Sequence, residues 1–149
     1  MTEIRFYHLT RSALEEALPA LLEKTLERGL RAVVMAGSAE RVEALTHHLW
    51  TYNPNSFLPH GNAKDGNADM QPVWLTPLDE RPNDAEFLFL TDGAQSARVA
   101  DYQRVCEIFD GNDDEAVAAA RLRWKDYKAA GHDLSYWQQG ERGWTNMAA

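Results

Sequence analysis

Strand-like and helix-like patterns alternate over the first part of this 149-residue chain, and a short continuous apolar run, "RAVVMA" (31–36), has the signature of a strand buried on both faces. With a closing alanine-rich helical segment, these observations predict an α/β fold. The expected architecture is a single three-layer domain, residues 1–149, with a mainly parallel central sheet flanked by helices. It would be Rossmann-like but without a nucleotide-binding loop.

Taken in order, "EIRFYHL" (Glu3–Leu9) is rich in β-formers and reads as the first strand. "SALEEALPALLEKTLERGL" places Leu14, Leu18, Leu21, Leu22 and Leu26 at helical spacing, with Ser12 as the expected N-cap, Glu15 three residues on, and Gly29 as the stop. Pro19 predicts a kink in its middle. After the buried strand, "SAERVEALTHHLWTY" is a second helix turning Val42, Leu45 and Leu49 inward. A long loop rich in Asn, Gly, Asp and Pro follows (53–72), then two strands, "VWLT" and "EFLFLT", separated by the polar "PLDERPND". "YQRVCEIFD" is the last expected strand. A helix from Asp113 to about Ala130, opened by the acids "DDE", closes the pattern. The final "GWTNMAA" is expected to be loose.

The length suits one compact domain, and a composition of 44% hydrophobic and 26% charged residues is that of a soluble globular protein. No apolar run approaches the roughly 20 residues needed to cross a bilayer, so no membrane role is expected. The start, "MTEIRFYHLTRS", lacks the pattern of a secretory signal, and a single cysteine fits a reducing cytoplasm. Cys106, flanked by "RV" and "EIFD", reads as a small buried hydrophobe. Fifteen basic against 23 acidic residues, a net charge of −8, argue against broad duplex DNA binding but leave room for a local basic patch.

Catalytic signatures are sparse. In an α/β sheet ligands usually sit at the carboxyl ends of strands. There "MAGSAER" puts Gly37 and Ser38 at a helix start, and "FLFLTDG" ends in Asp92. A nucleotide-dependent enzyme using these strand ends is one alternative reading. However, G-x-x-x-x-G-K-[ST] and G-x-G-x-x-G are both missing, and Asp92-Gly93 reads better as a turn. His47, His48, His60, Asp65 and Asp69 could be imagined as metal ligands, but adjacent helical histidines point about 100 degrees apart and no regular ligand spacing exists. Solvent-facing or capping histidines are the expectation, with no metal and no cofactor. No G-x-S-x-G elbow organises a serine nucleophile.

One stretch stands out. "ARLRWKDYK" gathers Arg121, Arg123, Lys125 and Lys128 with Trp124 and Tyr127 in an otherwise acidic chain. On a helical projection Val117, Arg121, Trp124, Lys125 and Lys128 share an arc of about 100 degrees. Ala116, Ala119, Ala120 and Tyr127 form another arc, suited to packing on the sheet. A solvated basic helix end, complementing the helix dipole, is the ordinary account of such a face. Trp124 among the cations favours instead a grip on an anionic, partly apolar peptide. Direct single-stranded nucleic-acid binding, with bases stacked on Trp124, is a further alternative.

Four segments carry a family resemblance: "FYHL", "HHLWTYNPNSFLPHG", "EIFDGNDDEAVAAARLRWKDYKAAGH" and "LSYWQQ". Together, in this order, they are similar to the chi subunit of bacterial DNA polymerase III holoenzyme, and they span nearly the whole chain. The resemblance implies a nucleotide-binding-like α/β fold without a nucleotide site and no enzymatic activity of its own, polymerase activity belonging to the holoenzyme. It implies two partners, namely the acidic C-terminal tail of single-stranded DNA-binding protein and the psi subunit that links to the clamp loader. DNA is then met only indirectly. It further implies a tail-binding surface made of Arg121, Trp124, Lys125 and Lys128 on the last helix with Trp50 and Phe57 after the second. Trp124 stands where the family often has tyrosine, which adds area and removes a hydroxyl.

Overall fold

In a computed structural model, which describes residues 2–53, 58–141 and 143–147, seven strands form one sheet. The strands are β1 (Glu3–Leu9), β2 (Ala32–Met35), β3 (Val73–Thr76), β4 (Phe87–Leu90), β5 (Arg104–Asp110), β6 (Asp133–Gly140) and β7 (Gly143–Asn146). Three helices interrupt them: α1 (Leu14–Glu27), α2 (Ala39–Thr51) and α3 (Asp114–Ala129). The sheet order is β3-β2-β4-β5-β1-β6-β7, parallel throughout except for the antiparallel β6–β7 hairpin. This is the expected α/β class.

Alternation along the strands sorts the core into two layers. Tyr7, Leu9, Val34, Leu75, Phe89 and Ile108 pack with Leu18 and Leu22 of α1 and Leu45 and Leu49 of α2. Ile4, Phe6, Val33, Leu88, Val105 and Phe109 face the opposite way and meet Ala120, Trp124 and Tyr127 of α3. Helices thus cover both faces, α1 and α2 on one and α3 on the other, which explains why β2, β3 and β4 are buried at every position.

Several expectations are corrected. The chain does not end on a helix: β6 and β7 follow α3, and Gly143–Asn146, expected to be loose, pairs with Trp137–Gly140. The alternation in β6 is hard to read because none of its positions is fully buried. Ser12 does not cap α1. The N-cap is Ala13, without a side-chain bond, while the Ser12 hydroxyl accepts from the Gln139 amide at 2.7 Å. The Gln139 carbonyl oxygen accepts from the backbone N–H groups of Thr10, Arg11 and Ser12 at 3.2, 2.9 and 3.0 Å. One side chain from β6 therefore satisfies three backbone donors of the loop that leads into α1, while the first turn of α1 has no side-chain cap. The other caps match expectation: Ser38 accepts from the Arg41 N–H, and Asp113 from those of Glu115 and Ala116. Gly29 ends α1 with φ +74°.

Candidate functional site

The carboxyl ends of β1, β4 and β5 open onto a cavity of about 750 Å³, where an α/β sheet usually takes its ligand. Five carboxylates line it, Glu16, Asp92, Asp110, Asp113 and Glu115. Of its three arginines, Arg41 is paired with Glu15 and Asp92, Arg123 with Glu107, and the exposed Arg11 lies 3.9 Å from Glu141. The start of α2 already has its anion. The Asp92 carboxylate accepts from the Gly37 N–H at 3.2 Å and from the Arg41 guanidinium at 3.1 and 3.3 Å. Asp92 sits at φ 56° in the turn expected there, with Gly93 at φ 77°. A phosphate approaching Gly37 would meet this fixed carboxylate, and the geometry gives a nucleotide-dependent enzyme little to use.

The histidines do not assemble. Among the described residues no group of three or more His, Cys, Asp or Glu side chains could hold a metal. His60, expected at the surface or at a cap, is instead 4% exposed, its ring nitrogens 2.6 and 3.0 Å from the carbonyls of Leu58 and Thr46. Cys106 is buried in the core, and burial pushes its thiol up to about 12, the condition of an inert residue. No described helix is long and apolar enough to cross a membrane.

α3 carries three exposed cations. Arg121, Lys125 and Lys128 face solvent, and none has an ion pair among the described residues. Leu122 lies beside them, 63% exposed. Trp124 is only half exposed, because its ring meets Phe6 at 5.3 Å and Tyr136 at 6.0 Å, both edge to face. The boundary of the core therefore runs through the predicted cationic arc: Val117 and Trp124 pack against the sheet, and the three cations lie outside.

Arg123 behaves differently from its neighbours. Its guanidinium is buried and donates to Glu107 of β5 at 3.0 Å, and the Tyr127 hydroxyl donates to the same carboxylate oxygen at 2.7 Å. This buried triad anchors α3 and sets which of its arginines is free. Burial pushes the Glu107 carboxyl above its ordinary value, and Arg123 and Tyr127 offset that without overcoming it.

Two residues that sequence reasoning passed over flank Arg121. His8 of β1 and Tyr136 of β6 share a 2.5 Å hydrogen bond between Nδ1 and the hydroxyl. Burial lowers the His8 pKa and the charge of Arg121 lowers it further, against a weaker pull from Asp110. The His8 ring fits only because residue 111 is glycine: a Cβ there would stand 2.0 Å from the ring. Sequence periodicity offers no signal for this pairing, since β6 was not expected as a strand.

Trp50 lies elsewhere. It is 49% exposed on α2, its ring 4.3 Å from that of His60. α2 packs on the sheet face opposite α3, so the structure does not bring Trp50 together with the α3 cations. Phe57 lies outside the described residues.

Comparison with known proteins accords with this arrangement. The family model described as "DNA polymerase III chi subunit, HolC" matches residues 1–135. A curated relative, "Probable DNA polymerase III subunit chi" of Rickettsia prowazekii (strain Madrid E), is 30% identical over 108 residues, covering 70% of this chain and 66% of its own length. An α/β fold whose last helix carries three exposed cations without ion pairs among the described residues thus coincides with a family match over most of the sequence. The chain belongs to the DNA polymerase III chi subunit family.

Proposed function

We propose that this protein is a non-catalytic accessory subunit of the DNA polymerase III clamp-loader complex in the cytoplasm. In this reading it binds the acidic C-terminal tail of single-stranded DNA-binding protein and links it to the replisome, through psi where that partner is present. The observation that carries the reading is the exposed trio Arg121, Lys125 and Lys128, without ion pairs among the described residues and bordering the half-exposed Trp124. An aspartate-rich tail ending in an aromatic ring and a free carboxylate needs cations beside an apolar edge. Arg121 can pair a carboxylate bidentately, the lysines supply mobile charges, and the rim of Trp124 receives the ring. Trp50 serves as a second aromatic contact only if the tail extends around to the α2 side.

Because these charges are solvated, the affinity is modest and falls with salt. The test is calorimetric titration with a peptide ending in an aromatic residue after several aspartates, at low and high salt. Arg121→Ala and Lys125→Ala should each weaken binding about tenfold without shifting the melting temperature. Unchanged binding in the double variant would remove the site from α3. Trp124→Ala is the poorer test, since it also takes a packed ring from beside Phe6 and Tyr136.

A further inference from the structure

On the face opposite α3, at the amino-terminal end of the strands, lies a second cavity of about 370 Å³. It opens between the last turns of α1 and the corner formed by β1, β6 and β7. Four cations line it, Arg5, Lys24, Arg28 and Arg104, and no carboxylate does. Beside it, Glu3 is shared by Arg5 and Arg104. Lys24 and Arg28 are exposed and have no ion pair among the described residues. In a chain of net charge −8 this is a concentrated positive site.

Its three arginines are held rather than loose. The Arg28 and Arg104 guanidinium groups lie over the Phe87 ring at 5.3 and 4.5 Å, and that of Arg5 over Trp137 at 5.2 Å. The opposite wall is aromatic, with Trp137, Trp144 and Tyr7, the last two in edge-to-face contact at 4.9 Å. Positive charge clusters over β4 and β5, and the tryptophans stand on β6 and β7. The strand spacing separates β5 from β6 by about 10 Å. Arg5 reaches across to Trp137, and Trp144 adds a flat wall, so the pocket suits a ligand that is anionic at one end and flat at the other. The position also answers the acid-lined cavity at the carboxyl ends, which repels phosphate.

We propose that this pocket binds a nucleoside polyphosphate, its phosphates held by Lys24, Arg28 and Arg104 and its base placed against Trp137 and Trp144. Arginine forks match phosphate oxygens, the indoles supply stacking area, and the volume is that of a small-ligand site. Trp137 stands on β6, and Gly143 and Trp144 on β7, so the C-terminal hairpin builds part of the wall. The size favours a single nucleotide over a peptide segment.

The experiment titrates the intact protein with ATP, adenosine, pyrophosphate and an acidic peptide, reading heat and tryptophan fluorescence. ATP should bind, pyrophosphate more weakly and adenosine more weakly still. Arg28→Glu, at an exposed position, should weaken ATP at least tenfold with only a small drop in melting temperature, and Lys125→Glu on α3 should leave ATP binding unaltered. Trp144→Phe should reduce the fluorescence change while keeping the fold. Absence of saturable ATP binding, or binding indifferent to Arg28→Glu, overturns the proposal. So does an acidic peptide that binds as tightly as ATP and loses its grip in Arg28→Glu, which makes the pocket a peptide socket. The outcome is separable from the tail-binding reading, because that reading fails or holds at Arg121 and Lys125.

Discussion

Two positions separate Arg121 from Arg123, and their environments are opposite. Arg121 is exposed, whereas Arg123 is 8% exposed and paired with Glu107, itself 1% exposed. Removing one partner of a buried pair leaves the other charge stranded, which costs about 3–5 kcal/mol. Arg123→Leu should therefore lose roughly that much in urea denaturation at neutral pH, and less in acid, where Glu107 takes up a proton. The sign for Glu107 itself follows from its raised pKa. Between the ordinary carboxylate value and the folded value, the native state holds a proton that the unfolded chain has released. Its contribution is thus full below the ordinary range and declines as pH rises through the folded value. The stability of the wild type relative to Glu107→Gln should fall across that interval, and a flat difference would refute the assignment. That Arg123 would be the buried member was not legible in sequence, because its partner lies 16 residues away and is set by the seating of α3 on β5.

At the scale of elements, the C-terminal hairpin is the main departure from expectation. The first strand was read at its observed bounds, Glu3–Leu9, because its residues are β-formers throughout. β6 carries glutamine and aromatics on both faces and is half-buried from Leu134 to Gly140, so no period-2 contrast marks it. Yet it ties the molecule together. Gln139 satisfies three backbone N–H groups at the α1 entry, and Tyr136 supports His8 beside Arg121. Gln139→Ala leaves those donors to water or to nothing, and should cost about 1–3 kcal/mol. Amide hydrogen exchange at Thr10, Arg11 and Ser12 should quicken selectively. Protection equal to wild type would show that the loop is held by other contacts.

For the whole molecule, charge is partitioned. Carboxylates crowd the carboxyl-end cavity, free cations occupy α3, and a separate cationic pocket lies under α1. The overall acidity should keep bare nucleic acid at a distance. In a binding assay, a bare single-stranded oligonucleotide should bind much more weakly than the same oligonucleotide coated with single-stranded DNA-binding protein. Binding to the bare strand that equals the coated one, and that is lost in Arg121→Ala, would favour direct nucleic-acid contact instead.

Local pattern was enough to determine the α/β class, most helices and strands, the absence of a phosphate loop and the basic run on α3. Each of these depends on residue types within one or two turns of chain, and the segments bearing the family likeness are likewise local. Tertiary structure decided what neighbours in space must decide: that Trp124 is half claimed by the core, that Arg123 is spent on Glu107, and that Trp50 lies on the opposite face. It also gathered Arg5, Lys24, Arg28 and Arg104 into one pocket. The physical reason is strand order. A sheet that places β5 beside β1, and β6 on its other side, brings together charges from distant segments whose spacing in sequence carries no period to read.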